Sequence, residues 1–143
     1  MSKMACQCGG TLSDTLVPCP TEGWLFRDQD QEDYQDAVGR DIVAFFVAVR
    51  SGQRDKWIAE FFSPQYPTEV GDEGIVTDII GIRDRQFTLS VAECEQCGRL
   101  HVQRGPGVNS YRTYAPDEPG YAGVLRSREA QDAAPGTLGE PKS

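Results

Sequence analysis

Two cysteine pairs, each followed by glycine, constrain this chain more than any other feature. The first is Cys6-Gln7-Cys8-Gly9 and the second is Cys94-Glu95-Gln96-Cys97-Gly98. A Cys-x-x-Cys turn sets two sulfurs on one side of an ion, and four thiolates satisfy a tetrahedral metal such as zinc. A following glycine lets the backbone fold back so that N–H groups point at sulfur. Cys6, Cys8, Cys94 and Cys97 therefore read as one structural Zn2+ site that ties the N-terminus to a distant segment. The competing reading is two reduced, metal-free turns. The Cys6-x-Cys8 half is tighter than the usual two-residue spacing. A redox role for Cys94 and Cys97 is disfavoured, because the pair does not open a helix that would lower a thiol pKa.

The other donors are few. Cys19 lies between Pro18 and Pro20 and reads as a spare thiol, with replacement of Cys6 or Cys8 as its alternative. His101 is the sole histidine. It alternates with Leu100 and Val102, so it is expected on the opposite side of a strand, as a surface or outer-sphere residue. A Cys3His site is the other option for it, and four cysteines make that unnecessary.

The chain has 143 residues and a net charge of −8. That length is one domain and does not depend on metal as a 30-residue finger does. Negative charge opposes binding to phosphate backbones, so nucleic acid is an unfavoured partner. The longest apolar run, Ile42–Val49, has eight residues, against the roughly 20 needed to span a membrane. Met1–Cys6 has no signal-peptide core. The expected compartment is the cytoplasm, where closely spaced thiols favour metal over disulfides.

Turn formers fill residues 1–21, which read as a knuckle and a loop. Trp24-Leu25-Phe26 reads as a short strand. Asp28 or Asp30 is then placed to cap a helix over 31–50, whose apolar face is Tyr34, Val38, Ile42, Phe45, Phe46 and Val49. Gly39 weakens that helix by roughly 1 kcal/mol relative to Ala. A second helix spans about 54–62, with Trp57, Ile58, Phe61 and Phe62 inward. A third follows Asp72, although the β-branched Ile75, Val76, Ile79 and Ile80 also suit a strand. Strands are expected at 87–91, 100–102 and 111–114, the first two forming a hairpin whose turn is the second knuckle. The fold expected is α+β: a small antiparallel sheet with a discontinuous zinc-ribbon-like knuckle pair, packed by about three helices. Residues 1–126 form a single zinc-binding domain and 127–143 a disordered tail.

Asp28, Asp30, Glu32, Asp33 and Asp36 crowd the start of the first helix with no basic residue among them. The plainest reading is a solvated helix start. The second is a docking surface for a basic protein partner. The third is a hard-cation site of a metal-dependent hydrolase. No Ser-His-Asp set, phosphate loop or dinucleotide fingerprint accompanies it.

Cys6-x-Cys8-Gly9, Ser13-Asp14, Phe26-x-Asp28-Gln29-Asp30 and Cys94-x-x-Cys97-Gly98-Arg99-Leu100 together resemble a group of small bacterial proteins without an assigned activity. The likeness covers about residues 4–115. It implies a zinc-ribbon-like site and nothing catalytic. The function expected is a non-enzymatic, zinc-stabilised binding protein for a basic partner, with an inhibitor or immunity-type protein as an analogy. A metal-dependent hydrolase using residues 28–36 and a nucleic-acid-binding zinc ribbon are the alternatives.

Overall fold

The computed structural model describes residues 3–129. The tail expected over 127–143 lies outside the described residues from position 130 onward. Among the described residues the fold is α+β, with three complete α-helices and two small antiparallel sheets. It divides into two compact units, one from residues 3–25 and 89–129, the other Phe26–Thr88.

The first unit begins with a hairpin where the turn formers suggested a knuckle and a loop without strands. Strands β1 (Lys3–Ala5) and β2 (Thr11–Ser13) pair antiparallel, Met4 opposite Leu12. Strand β3 (Glu22–Phe26) lies beside β4 (Thr88–Glu93), and β5 (Leu100–Gln103) and β6 (Tyr111–Tyr114) complete a sheet of order β3-β4-β5-β6. Val91 faces Val102 across β4 and β5, and Leu100 faces Tyr114 across β5 and β6. This register puts Ala92, His101 and Thr113 in one row. Because side chains alternate, that row lies on the opposite face from Glu93, Leu100 and Tyr114. The buried cluster of the unit is Cys6, Leu12, Ala92 and Cys94, with Met4 and Cys97 against it.

The second unit is helical. A 3-10 turn, Asp28–Asp30, leads into α1 (Gln31–Arg50), followed by α2 (Arg54–Phe61) and α3 (Asp72–Phe87). Phe45, Ile58, Ile75 and Ile79 have no solvent exposure and form its centre. Full burial of each such side chain stabilises by roughly 1.5–3 kcal/mol. The apolar side of α1 is rotated from the expected one: Ala37, Asp41, Phe45 and Ala48 are buried, while Phe46 is 40% exposed. Asp41 can face inward because the Arg83 guanidinium donates to both its oxygens, at 2.7 and 3.1 Å. Arg54 fixes the α2–α3 connection by donating to the carbonyls of Thr68 and Val70 and to Asp72. An edge-to-face chain of Phe26, Tyr34 and Phe87 packs the two ends of the unit together.

The expected helix caps are corrected. Neither Asp28 nor Asp30 makes a side-chain capping bond. The Asp30 carboxylate instead takes the Arg27 guanidinium at 2.7 Å. At α3 the cap position is Gly71, and Asp72 lies in the first turn, where its charge suits the helix dipole.

Candidate metal centre

Each cysteine pair sits in a turn closed by its own backbone. In the first, the Cys6 N–H donates to Gly10 O at 2.8 Å and the Gly9 N–H returns to Cys6 O at 3.0 Å. In the second, the Cys94 N–H donates to Arg99 O at 2.9 Å and the Gly98 N–H to Cys94 O at 2.8 Å. Gly9 and Gly98 hold φ of 93° and 78°, the left-handed region that side chains disfavour. The first turn joins β1 to β2 and the second joins β4 to β5, so each pair of sulfurs is carried at a hairpin tip.

The two tips meet. Cys6 Sγ is 3.5 Å from Cys97 Sγ, and Cys8 Sγ is 3.5 Å from Cys94 Sγ. All four sulfurs lie within 4.8 Å of one another. A tetrahedral zinc with Zn–S of about 2.3 Å needs sulfurs about 3.8 Å apart. The donor set therefore fits a tetrahedral metal ion. Cys6 and Cys94 are buried, Cys97 is half-buried and Cys8 is exposed, so one edge of the cluster faces solvent.

Hydrogen-bond donors surround the sulfurs. The Gly10 N–H donates to Cys8 Sγ at 3.4 Å. Arg99 gives Cys97 both its backbone N–H and its guanidinium. The backbone donation leads in bringing the Cys97 thiol down to about 6, against the opposing loss of hydration. At Cys8 the Gly10 N–H also lowers the pKa. Lost hydration and the neighbouring thiols outweigh it and push Cys8 up to about 12. Four sulfurs this close cannot all ionise without a cation, and a dication supplies the missing charge.

Cys19 stands apart from the cluster. Its thiol is shared with Ser13 O and Thr21 Oγ. His101 is not a surface residue: it is 3% exposed, and its Nδ1 lies 2.9 Å from Thr113 Oγ. Burial, with the nearby Arg99 charge, pushes its pKa down, so the ring is neutral. Alternation placed its face, but the burial of that face depends on the fold. Arg99 is the contributor that composition did not single out, although its position directly after Cys97-Gly98 is a usable signal.

The carboxylates of Asp28, Glu32, Asp33 and Asp36 are exposed and Asp30 is half-buried. Among the described residues, the four cysteines are the one group of three or more metal-capable side chains whose ligand atoms converge. The acidic run does not form such a group. Glu93, 2% exposed, is occupied structurally: its two oxygens accept the N–H groups of Ala122 and Val124. Among the described residues, no helix is long and apolar enough to cross a membrane.

The sequence matches the family described as Domain of unknown function (DUF8617) over residues 2–118, which span both knuckles and strands β1 to β6 of the described residues. The chain belongs to that family. No curated protein and no solved structure matches it.

Proposed function

We propose that this member of the family is a non-catalytic, zinc-stabilised binding protein of a reducing compartment, and that the acidic start of α1 meets a basic protein partner. The observation that carries the metal part is the convergence of four sulfurs from hairpin tips 86 and 91 positions apart. Zinc is the ion of choice because an all-thiolate tetrahedral set with no nitrogen or carboxylate donor suits it. Its role is structural, since four protein ligands leave no open position for substrate.

The partner part rests on charge. Asp28, Glu32, Asp33 and Asp36 are exposed and, among the described residues, make no ion pair. The −8 net charge extends the same sign over the molecule and disfavours the nucleic-acid reading. The hydrolase reading has less support, because the carboxylates do not converge and the one histidine is sealed within the sheet. Co-purification from the native cell supplies the partner for the test. Replacing Asp28 by Asn, Glu32 by Gln and Asp33 by Asn spares the Asp30–Arg27 pair. The triple variant should bind that partner more slowly at low salt and nearly normally at high salt. Unchanged low-salt binding would reduce the acidic run to a solvated helix start.

A further inference from the structure

The outward face of α1 carries a pattern that the helical unit itself does not use. Val43, Phe46 and Val47 are 61%, 40% and 50% exposed, and they lie one turn apart on one side of the helix. Asp36, Gly39, Arg40 and Arg50 are exposed on the same side. The series Asp36, Arg40, Val43, Val47, Arg50 advances by alternate steps of four and three, the spacing of a seam between two packed helices. A side chain at Gly39 would meet nothing within 4 Å, so packing within the chain does not call for glycine there. Glycine inside a helix is nevertheless less favourable than alanine.

We infer that this face is self-complementary and that a second copy of the chain docks on it, with the two α1 helices antiparallel about Val43. Reversing the helix about that residue sets Asp36 against Arg50 of the second copy, and Arg50 against Asp36 of the second copy. Gly39 then lies opposite Val47, leaving room for the valine and for close backbone approach. Arg40 lies opposite Phe46, a guanidinium over an aromatic face. Val43 meets Val43 of the second copy on the two-fold axis. Asp36 and Arg50 thus meet opposite charges, and Arg40 meets an aromatic ring, as a self-complementary isologous interface requires. A parallel pair would instead set Asp36 against Asp36 and Arg50 against Arg50. Among the described residues Asp36, Arg40 and Arg50 have no ion pair within the chain, so the cross-pairs displace nothing. The seam is independent of the metal centre and shares only Asp36 with the acidic run, a residue that the Asp28, Glu32 and Asp33 replacements leave intact.

Sedimentation equilibrium of the full, metal-loaded chain tests the inference. The mean mass should rise from one chain toward two as concentration rises from about 10 to about 500 µM, by mass action. Val43→Asp places like charges on the axis and should weaken dimerisation about a hundredfold with little change in melting temperature. Val47→Asp provides a second disruption should the first disturb folding. Asp36→Arg and Arg50→Asp should each weaken the dimer about fivefold, and the double swap should restore it. A chain that stays monomeric throughout would overturn the inference and leave the face to a different protein. Parental dimerisation by both Asp variants, or a double swap no better than its singles, would overturn it too.

Discussion

The carbonyl oxygen of Gly120 lies 2.0 Å from the place that a Cβ on Gly98 would occupy. The Gly120 N–H also donates to the Cys97 carbonyl at 3.3 Å. The segment after β6 therefore locks onto the second knuckle, and Glu93 holds that segment through Ala122 and Val124. The knuckle can take this form because position 98 has no side chain and a φ of 78°.

Gly98→Ala should consequently be severe. The left-handed backbone alone costs an L-residue roughly 1–2 kcal/mol, and the clash is with backbone that cannot swing aside. Thermal melts of the metal-loaded protein should show a loss of at least about 2 kcal/mol. Gly9→Ala, where a Cβ would meet nothing within 4 Å, should pay the backbone term alone. Equal losses for the two variants would show that Gly120 yields to the added methyl.

The helical unit has its own sensitive point in the Asp41–Arg83 pair. Asp41→Asn removes the charge and one of two acceptors from a buried site and leaves the guanidinium poorly matched. Denaturant unfolding should register a loss of about 2–3 kcal/mol. A loss below about 0.5 kcal/mol, the usual scale for surface changes, would mean that water replaces the carboxylate freely.

Two tyrosines should ionise late. The Asp84 carboxylate accepts the Tyr34 hydroxyl at 2.6 Å and leads in pushing it up to about 12. Burial leads at Tyr66, helped by its bond to Asp78, again to about 12. Both folded values stand above the ordinary 10. Their contribution to stability is thus complete below pH 10 and is lost as pH rises through 12. Ultraviolet titration of phenolate should show a late component that shrinks in Tyr34→Phe. Parallel titration of all five tyrosines near 10 would contradict these contacts.

The local parts of this fold were readable from the chain alone. Helix α1 spans the 31–50 expected from its periodicity. Strands β5 and β6 follow their alternation. The four cysteines that spacing singled out are the four that meet. Long-range choices were less readable. Phe46 was expected inward but is exposed, and the buried place of Asp41 has no signal in its own neighbourhood, because a polar side chain faces inward only when a partner such as Arg83, 42 positions away, receives it. Strands β1 and β2, three residues each, are too short to show alternation, and their pairing depends on the cysteine turn between them. His101 was placed on its strand correctly, but its environment comes from the fold and not from its neighbours in sequence.

The central claim, a structural zinc held by Cys6, Cys8, Cys94 and Cys97, is tested most directly by metal content. Native mass spectrometry with elemental analysis of protein purified without added metal should give one zinc per chain. Cys19→Ser should keep that zinc and its melting temperature. Cys97→Ser should lower both, because an opened coordination shell loses metal and folding free energy together. A chain that carries no zinc while all five thiols titrate freely, or one that holds iron in its place, would contradict the account.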